Sequence, residues 1–349
     1  MSLKSHFMQR CFDLARLGAG YASPNPMVGA VLVHDNKIIG EGFFAKDGGP
    51  HAEVMAVRSV KEVDRPLIKA STLYVSLEPC NIYGRTPPCT NLILEEKIPH
   101  VIVAARDLTP GVNGAGLGRL RQHGVIVEEA VLSQRGKILS EYRNVFVSKS
   151  RPYILLKYAQ TANGFLAPAD GSTQWLTNKF SKRLTHKWRT ETDAILVGAG
   201  TARADDPALT ARLYPGRTPR RVVIDRLSTL PTSLKLFDGS APTLVFSQPR
   251  PALVPPPNAT LFEHDFTQND WLPKMLAQLA QQKIAHLTVE GGAWLLQQFV
   301  EQDLWDEARV FTTTANWKIG LNAPALGKVA SREMMLQKDR LTVHYNFDF

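Results

Sequence analysis

His51, Glu53, Cys80 and Cys89 are the residues of this chain whose types and spacing point most directly to chemistry. His51 and Glu53 stand two apart in His51-Ala52-Glu53, Cys80 follows Pro79, and Cys89 lies nine positions further on. One imidazole and two thiolates suit Zn²⁺, and three protein ligands leave a fourth position for water. A metal so held brings the pKa of that water down to ~7, which makes hydroxide available at neutral pH. Attack of that hydroxide on an electrophilic carbon needs a carboxylate to carry the water proton to the leaving group. Glu53, close to His51 and not itself a ligand, is placed for that shuttle. Cys11 has no partner motif and falls on the apolar face of a helix, so packing is its expected role.

These residues need elements to hold them. His51–Val60 reads as a helix, Leu73–Leu77 as a strand leading into Glu78-Pro79-Cys80, and Thr90–Glu96 as a second helix. Residues 5–17 place Phe7, Met8, Cys11, Leu14 and Ala15 at helical spacing. Val28–Val33 and Lys37–Glu41 flank Asp35-Asn36, a hairpin signal. Val101–Ala104 is a strand, and Gly114-x-Gly116-x-Gly118 reads as a loop because it lacks the G-x-G-x-x-G spacing of a dinucleotide site. A short helix, a strand at Val125–Val127 and a helix ending near Arg143 follow.

The pattern restarts near Arg151-Pro152. Tyr153–Tyr158, Ala194–Val197, Arg221–Ile224, Thr243–Phe246 and His286–Val289 read as strands, with helices at Asn178–Thr190 and Ala293–Glu301. Such alternation indicates an α/β layer architecture. A chain of 349 residues accommodates two domains, expected at 1–147 and 151–349. Gly198-Ala199-Gly200-Thr201 and Gly291-Gly292 both follow strands, where a backbone free of side chains can approach a phosphate.

Composition narrows the function classes. Hydrophobic residues make up 44% and charged residues 21%, as in a packed globular protein. No apolar run reaches the ~18 residues of a membrane span, and charges interrupt the first twenty residues, so neither membrane insertion nor a signal peptide is expected. Three cysteines cannot build a disulfide framework, which favours a reducing cytoplasm. Lys and Arg total 41 against 32 Asp and Glu, a net +9 spread over both halves without a basic block. A nucleic-acid binder more often concentrates its charge on one face; small phosphorylated substrates in both halves are an equally good reading of this charge, which alone does not choose, and a homo-oligomer is compatible with the sequence.

The motifs extend to a family. H-x-E…P-C is the signature of zinc deaminases, here with C-x8-C in place of C-x2-C. The fuller run PNPMVGAVLV…GEG…GGPHAEV…LEPCNIYGRTPPC resembles the deaminase domain of the bifunctional riboflavin-biosynthesis deaminase/reductases. Gln174-Trp175-Leu176-Thr177, Ala204–Thr210 in ADDPALT, and Val289-Glu290-Gly291-Gly292 resemble their reductase half.

The resemblance covers essentially the whole chain. It implies a cytidine-deaminase-like three-layer α/β/α domain followed by a dihydrofolate-reductase-like α/β domain. It implies deamination of a diaminopyrimidinone ribosylamine 5′-phosphate, then reduction of its ribosyl chain by NADPH. By position it makes His51, Cys80 and Cys89 zinc ligands and Glu53 the proton shuttle, and it sets Asn25 and Arg85 at the deaminase substrate. It puts Thr173, Arg189, Leu209, Arg212 and Glu290 at the reductase substrate, with Arg189 and Arg212 as phosphate partners. Ala159, Trp175, Thr201, Asp205, Gly292, Ala293, Trp294 and Leu295 fall at NADPH.

The chain departs from the family pattern at Ile82, where a His is common, and at Asn163, Arg226 and Asn316 in the second half. On those departures, the alternative is an active deaminase carrying a degenerate reductase domain.

Overall fold

The computed structural model describes residues 2–170, 172, 174–249, 255–328 and 330–347. The chain divides into two compact units between Arg151 and Pro152.

In the first unit, α1 (Leu3–Arg16) precedes β1 (Gly29–His34) and β2 (Lys37–Phe43), then α2 (Ala52–Ser59). A 3₁₀ segment at Glu62–Ala70, which sequence periodicity does not reveal, leads to β3 (Thr72–Leu77). After it come α3 (Cys89–Glu95), β4 (His100–Ala105), α4 (Ala115–Gln122), β5 (Ile126–Glu128) and α5 (Ser133–Lys149). The sheet order is β2-β1-β3-β4-β5, antiparallel through β1 and parallel from β3 to β5. Asp35 and Asn36 both take positive φ, 47° and 61°, as the tight turn between β1 and β2 requires.

Alternate strand residues face opposite layers. Val31, Val33, Tyr74, Ile102 and Ala104 pack under α1 and Leu139 of α5. Ala30, Leu32, Leu73, Val75, Val101 and Val103 pack under Ala52, Ala56 and Val57 of α2, Ile93 of α3 and Leu117 and Leu120 of α4. The expected three layers are therefore present, with the helices that carry His51, Glu53 and Cys89 on one face.

Two expectations change. α5 continues past Arg143 to Lys149. The stretch Gly114-x-Gly116-x-Gly118 is not a loop: Gly114 caps α4 in a left-handed conformation, and Gly116 and Gly118 lie inside that helix.

The second unit begins with β6 (Tyr153–Gln160), β7 (Phe165–Ala167), α6 (Lys179–Glu191), β8 (Ala194–Gly198) and α7 (Ala199–Asp205). It continues through β9 (Arg220–Ile224), β10 (Thr243–Ser247), β11 (Ala259–Glu263), α8 (Trp271–Gln281), β12 (His286–Val289), α9 (Ala293–Glu301) and β13 (Glu307–Thr312). β14 (Leu321–Asn322) pairs with β7, and β15 (Arg332–Leu336) and β16 (Asp339–Tyr345) form a hairpin at the sheet edge.

The nine strands run in the order β11-β10-β9-β8-β12-β6-β13-β16-β15, parallel up to β13. Leu196, Val222 and Phe246 face α8 and α9, while Ile195, Val223 and Val245 face Ala202 of α7. The chain leaves β6 for β8 on one side and later places β13 on the other. This strand-order reversal falls at the carboxyl ends of β8, β12 and β6, where open α/β sheets form their ligand crevice.

Candidate functional site

α2 starts at the zinc motif itself. His51 is its N-cap residue, in extended backbone, and Glu53 falls in its first turn at 3% exposure. Cys80 sits in the turn after β3, and Cys89 opens α3. The Nδ1 of His51 lies 3.2 Å from Cys89 Sγ and 3.4 Å from Cys80 Sγ, and all three ligand atoms fall within 4.8 Å of one another. Among the described residues this is the one cluster of its kind. The Phe44 ring meets the His51 ring edge-on at 5.5 Å and fixes its tilt.

Hydrogen bonding from Cys89, then from His51, pulls the Cys80 thiol down to about 4, while its bond to Cys80 lifts His51 to about 8. Cys80 is thus poised as a thiolate. Two sulfurs and one imidazole, converging with no carboxylate in the ligand set, fit Zn²⁺ and leave one coordination position open. Burial raises the carboxyl pKa of Glu53, which suits a group that must both take and hold a proton.

Glu78 holds the Cys80 turn in place. Both of its oxygens accept the Gly114 N–H at 2.9 Å, and Oε1 also accepts Gly116 N–H at 3.2 Å. These are the free donors of the α4 start. A carboxylate just past the end of β3 replaces a local cap here, which is why the glycines read as a loop. A Cβ at Gly116 would collide with the Pro79 carbonyl. Glu78→Ala leaves two amide groups without their acceptor, at a cost of ~1–3 kcal/mol, so the thermal midpoint of the protein should drop. Glu78→Gln, which keeps one acceptor oxygen, should drop less. Calorimetry that found no difference between Glu78→Ala and wild type would remove this anchoring role.

Asn25 and Arg85 stand on separate loops, and one residue that carries no motif brings them together. The Asp47 carboxylate accepts Asn25 Nδ2 at 2.7 Å and Arg85 Nη1 at 3.0 Å. Ile82 and Tyr83 are exposed on the Arg85 loop.

In the second unit, the crevice collects Ala159 near the end of β6, Thr201 in the first turn of α7, and the Glu290–Leu295 segment between β12 and α9. A Cβ at Gly292 would sit 3.2 Å from Thr201 Oγ1, so these two segments face each other across a gap that only a bare backbone leaves open. The bare backbone of this turn and the α9 N-terminus beside it are the kind of surface a cofactor phosphate can approach. Trp294 is 63% exposed and stacks on Trp271 at 6.2 Å. Trp175 is 72% exposed, with Lys182 Nζ 4.3 Å over its ring. Asp205 closes α7, and Ala293 opens α9. Leu209 and Leu295 are buried in the core, so only their backbones can meet a ligand. Thr173 lies outside the described residues.

Arg189 is set against Glu290. Its Nε and Nη2 donate to Glu290 at 2.9 and 2.7 Å, and Nη1 donates to the Thr210 carbonyl at 3.1 Å. Burial alone raises the Glu290 carboxyl, yet Arg189 overrides it and holds Glu290 down to about 2. The guanidinium fork is thus committed to a buried carboxylate rather than open to a phosphate. Arg212 is exposed and has no ion-pair partner among the described residues.

Two residues of this polar cluster escaped sequence reasoning. Burial, then Arg189 and Arg212, push His186 down to about 4, and burial lowers the Lys157 pKa against the pull of Glu290. A lysine inside the apolar run Tyr153–Tyr158 was the signal available for Lys157.

The departures at Asn163 and Asn316 do not disrupt the local turn. Asn163 Oδ1 accepts Thr161 Oγ1–H at 2.8 Å, its Nδ2 donates to the Trp317 carbonyl at 2.7 Å, and Ala162 N–H donates to the Ala315 carbonyl at 2.7 Å. Arg226 is exposed after β9, and its carbonyl accepts from Gln248.

Residues 1–105 match the family model for the cytidine and deoxycytidylate deaminase zinc-binding region, and residues 152–315 match the RibD C-terminal domain. The riboflavin biosynthesis protein RibD of Aquifex aeolicus is 37% identical over 93% of this chain and 91% of that protein. Its counterpart in Escherichia coli is 33% identical over 88% and 86%. A Thermotoga maritima crystal structure, described as a diaminohydroxyphosphoribosylaminopyrimidine deaminase/5-amino-6-(5-phosphoribosylamino)uracil reductase, superposes with a TM-score of 0.89. It shares 36% identity over 98% of both chains. RibD of Acinetobacter baumannii gives 0.85 at 29% identity, again over 98% of each.

Proposed function

This chain belongs to the RibD family of bifunctional riboflavin-biosynthesis deaminase/reductases, and from that premise we propose how its own residues divide the work. The first unit deaminates 2,5-diamino-6-ribosylamino-4(3H)-pyrimidinone 5′-phosphate. The second reduces the ribosyl chain of the product with NADPH. The observation that carries this reading is the convergence of His51, Cys80 and Cys89 beside a buried Glu53.

Zinc, when bound by those three residues, supplies a water acidic enough to act as a nucleophile at neutral pH. Glu53 takes the proton that water loses and passes it to the ring nitrogen. It then serves the departing amine, so that one water enters and one ammonia leaves. Asn25 and Arg85 stand at the mouth and hold the substrate's polar groups.

In the second unit NADPH, when bound, would supply a hydride, with Thr201 and the backbone of the Gly291-Gly292 turn beside its phosphates. Reduction of ribosyl to ribityl adds that hydride at C1′ and a proton to the ring oxygen released. Arg212, exposed and without an ion-pair partner among the described residues, takes the substrate phosphate, while the Arg189–Glu290 pair shapes the floor of the crevice. The intact Asn163 turn supports an active reductase over a degenerate one. A small phosphorylated pyrimidine, rather than nucleic acid, is the partner in both steps. The reading includes a cytoplasmic setting, supported by three unpaired cysteines; no described helix is long and apolar enough to cross a membrane.

Incubation with the diaminopyrimidinone substrate, followed by mass analysis, tests the whole scheme. Without NADPH the product should have exchanged ammonia for water; with it, two further hydrogens should appear. An unchanged substrate under both conditions would overturn it.

Arg212→Ala gives a narrower test. Loss of one charge-assisted phosphate contact costs ~1.5–3 kcal/mol, or roughly 10- to 150-fold in affinity. The reductase KM for the deaminated substrate should rise by that order, with deamination in the same sample as the folding control. An unaltered KM would place the phosphate elsewhere.

A further inference from the structure

Asp47 belongs to neither stretch of the zinc motif, yet the two proposed substrate contacts of the first unit converge on it. Its Oδ1 accepts Asn25 Nδ2 at 2.7 Å, and its Oδ2 accepts Arg85 Nη1 at 3.0 Å. Its own N–H donates to the Tyr21 carbonyl at 3.1 Å, which ties the carboxylate to the segment leading into Asn25. Gly48 follows in left-handed backbone, φ +78°, and a Cβ there would come 3.0 Å from Arg85 Nη1, so the guanidinium lies against this turn. Three connecting segments, before β1, after β2 and after β3, are joined through one carboxylate.

We propose that Asp47 is a specificity-determining residue of the deaminase site, occupying on Arg85 and Asn25 the donors that an anionic substrate group would use. The proposal rests on the reading that Arg85 and Asn25 face the substrate. The Arg85 side chain is 64% exposed and that of Asp47 35%, so their pair is largely solvated and contributes little to stability. A phosphate can therefore displace the carboxylate from Arg85. Displacement does not remove it: Asp47 stays anchored through its backbone and through Asn25, and its charge opposes the phosphate that replaced it.

The neighbours do not offset this. Ile82, on the same loop as Arg85, adds no donor, and one of the two N–H groups of the Asn25 amide is already donating to Asp47. The Arg85–Asp47 pair carries no net charge, so this mouth gains little from a phosphate and admits the phosphate-free pyrimidine ribosylamine on comparable terms.

The test compares deamination of the 5′-phosphorylated substrate with that of the same compound after removal of the phosphate, using wild type, Asp47→Asn, Asp47→Ser and Arg85→Ala, with zinc content measured in each. Asp47→Asn should lower KM for the phosphorylated substrate roughly two- to five-fold, the order of a solvated charge pair. KM for the phosphate-free compound should stay put, and kcat should change little. Asp47→Ser should show the same split, and it stands in should the amide disturb folding. Arg85→Ala should raise KM for the phosphorylated substrate alone. If Arg85→Ala leaves KM untouched, Arg85 does not meet the phosphate and the proposal falls with that assignment. If Arg85→Ala behaves as expected but both Asp47 variants shift the two substrates alike, or raise KM for the phosphorylated one, Asp47 is a loop clamp and the specificity role is overturned.

Discussion

Glu53→Gln protein should bind zinc, fold as wild type does, and deaminate about 10²- to 10⁴-fold more slowly, the range general acid–base catalysis contributes. Gln matches Glu in shape but cannot take a proton from water or deliver one to the ring. The side chain is 3% exposed in the first turn of α2, so bulk water cannot readily relay protons in its place. Glu53 lies outside the ligand set, so metal content should hold near that of wild type. Ammonia release measures the loss, and metal analysis measures zinc. NADPH oxidation with pre-deaminated substrate shows that the second unit remains competent. Turnover within ten-fold of wild type, at full zinc occupancy, would remove Glu53 from proton transfer.

The zinc cluster was legible because each ligand is tied to a local frame. His51 and Glu53 belong to a helix start, Cys80 to a turn after a strand and Cys89 to the next helix start, so the groups meet once the sheet sets these element ends side by side. The first unit's layers were legible for a similar reason: apolar alternation in β1, β3 and β4 matches the two faces they cover. What escaped depended on distant partners. α4 looked like a glycine loop because the carboxylate that caps it, Glu78, lies on the far side of α3 in sequence. Arg189 looked like an open phosphate fork because Glu290 follows β12, about a hundred residues on, and no spacing within α6 discloses that pairing.

Elsewhere local punctuation misled. α7 begins Ala199-Gly200-Thr201, which reads as a turn, and α8 carries Pro273. That proline stands in the first turn, where no intrahelical donor is lost, and Leu272, Met275, Leu276 and Leu279 behind it are buried in the core. β15 shows no alternation at all, because it is an exposed edge strand. Asp47 gave no signal, since an aspartate in a surface loop is ordinary until its two partners are seen.

Cys80→Ser is the second large effect, and it concerns the metal itself. The Cys80 Sγ accepts the Cys89 N–H at 3.3 Å and lies 3.4 Å from His51 Nδ1. The Cys89 side chain first, then His51 and the Cys89 N–H, hold the thiol down to about 4, so a charged sulfur waits for the ion at neutral pH. A serine oxygen stays protonated there, is a harder donor and sits closer to the backbone, so it can neither balance the charge nor reach the position the sulfur filled. Wild-type protein should carry about one zinc per chain after dialysis against a weak chelator. Cys80→Ser should carry almost none and release no ammonia.

Cys11→Ser supplies the control. That thiol is fully buried on α1, donates to the Tyr74 carbonyl at 3.4 Å and has its pKa raised by burial, so its replacement should leave zinc in place. Equal zinc in Cys80→Ser and wild type would break the assignment of the metal centre. Zinc lost equally from Cys11→Ser would trace the effect to the packing of α1 against the sheet instead.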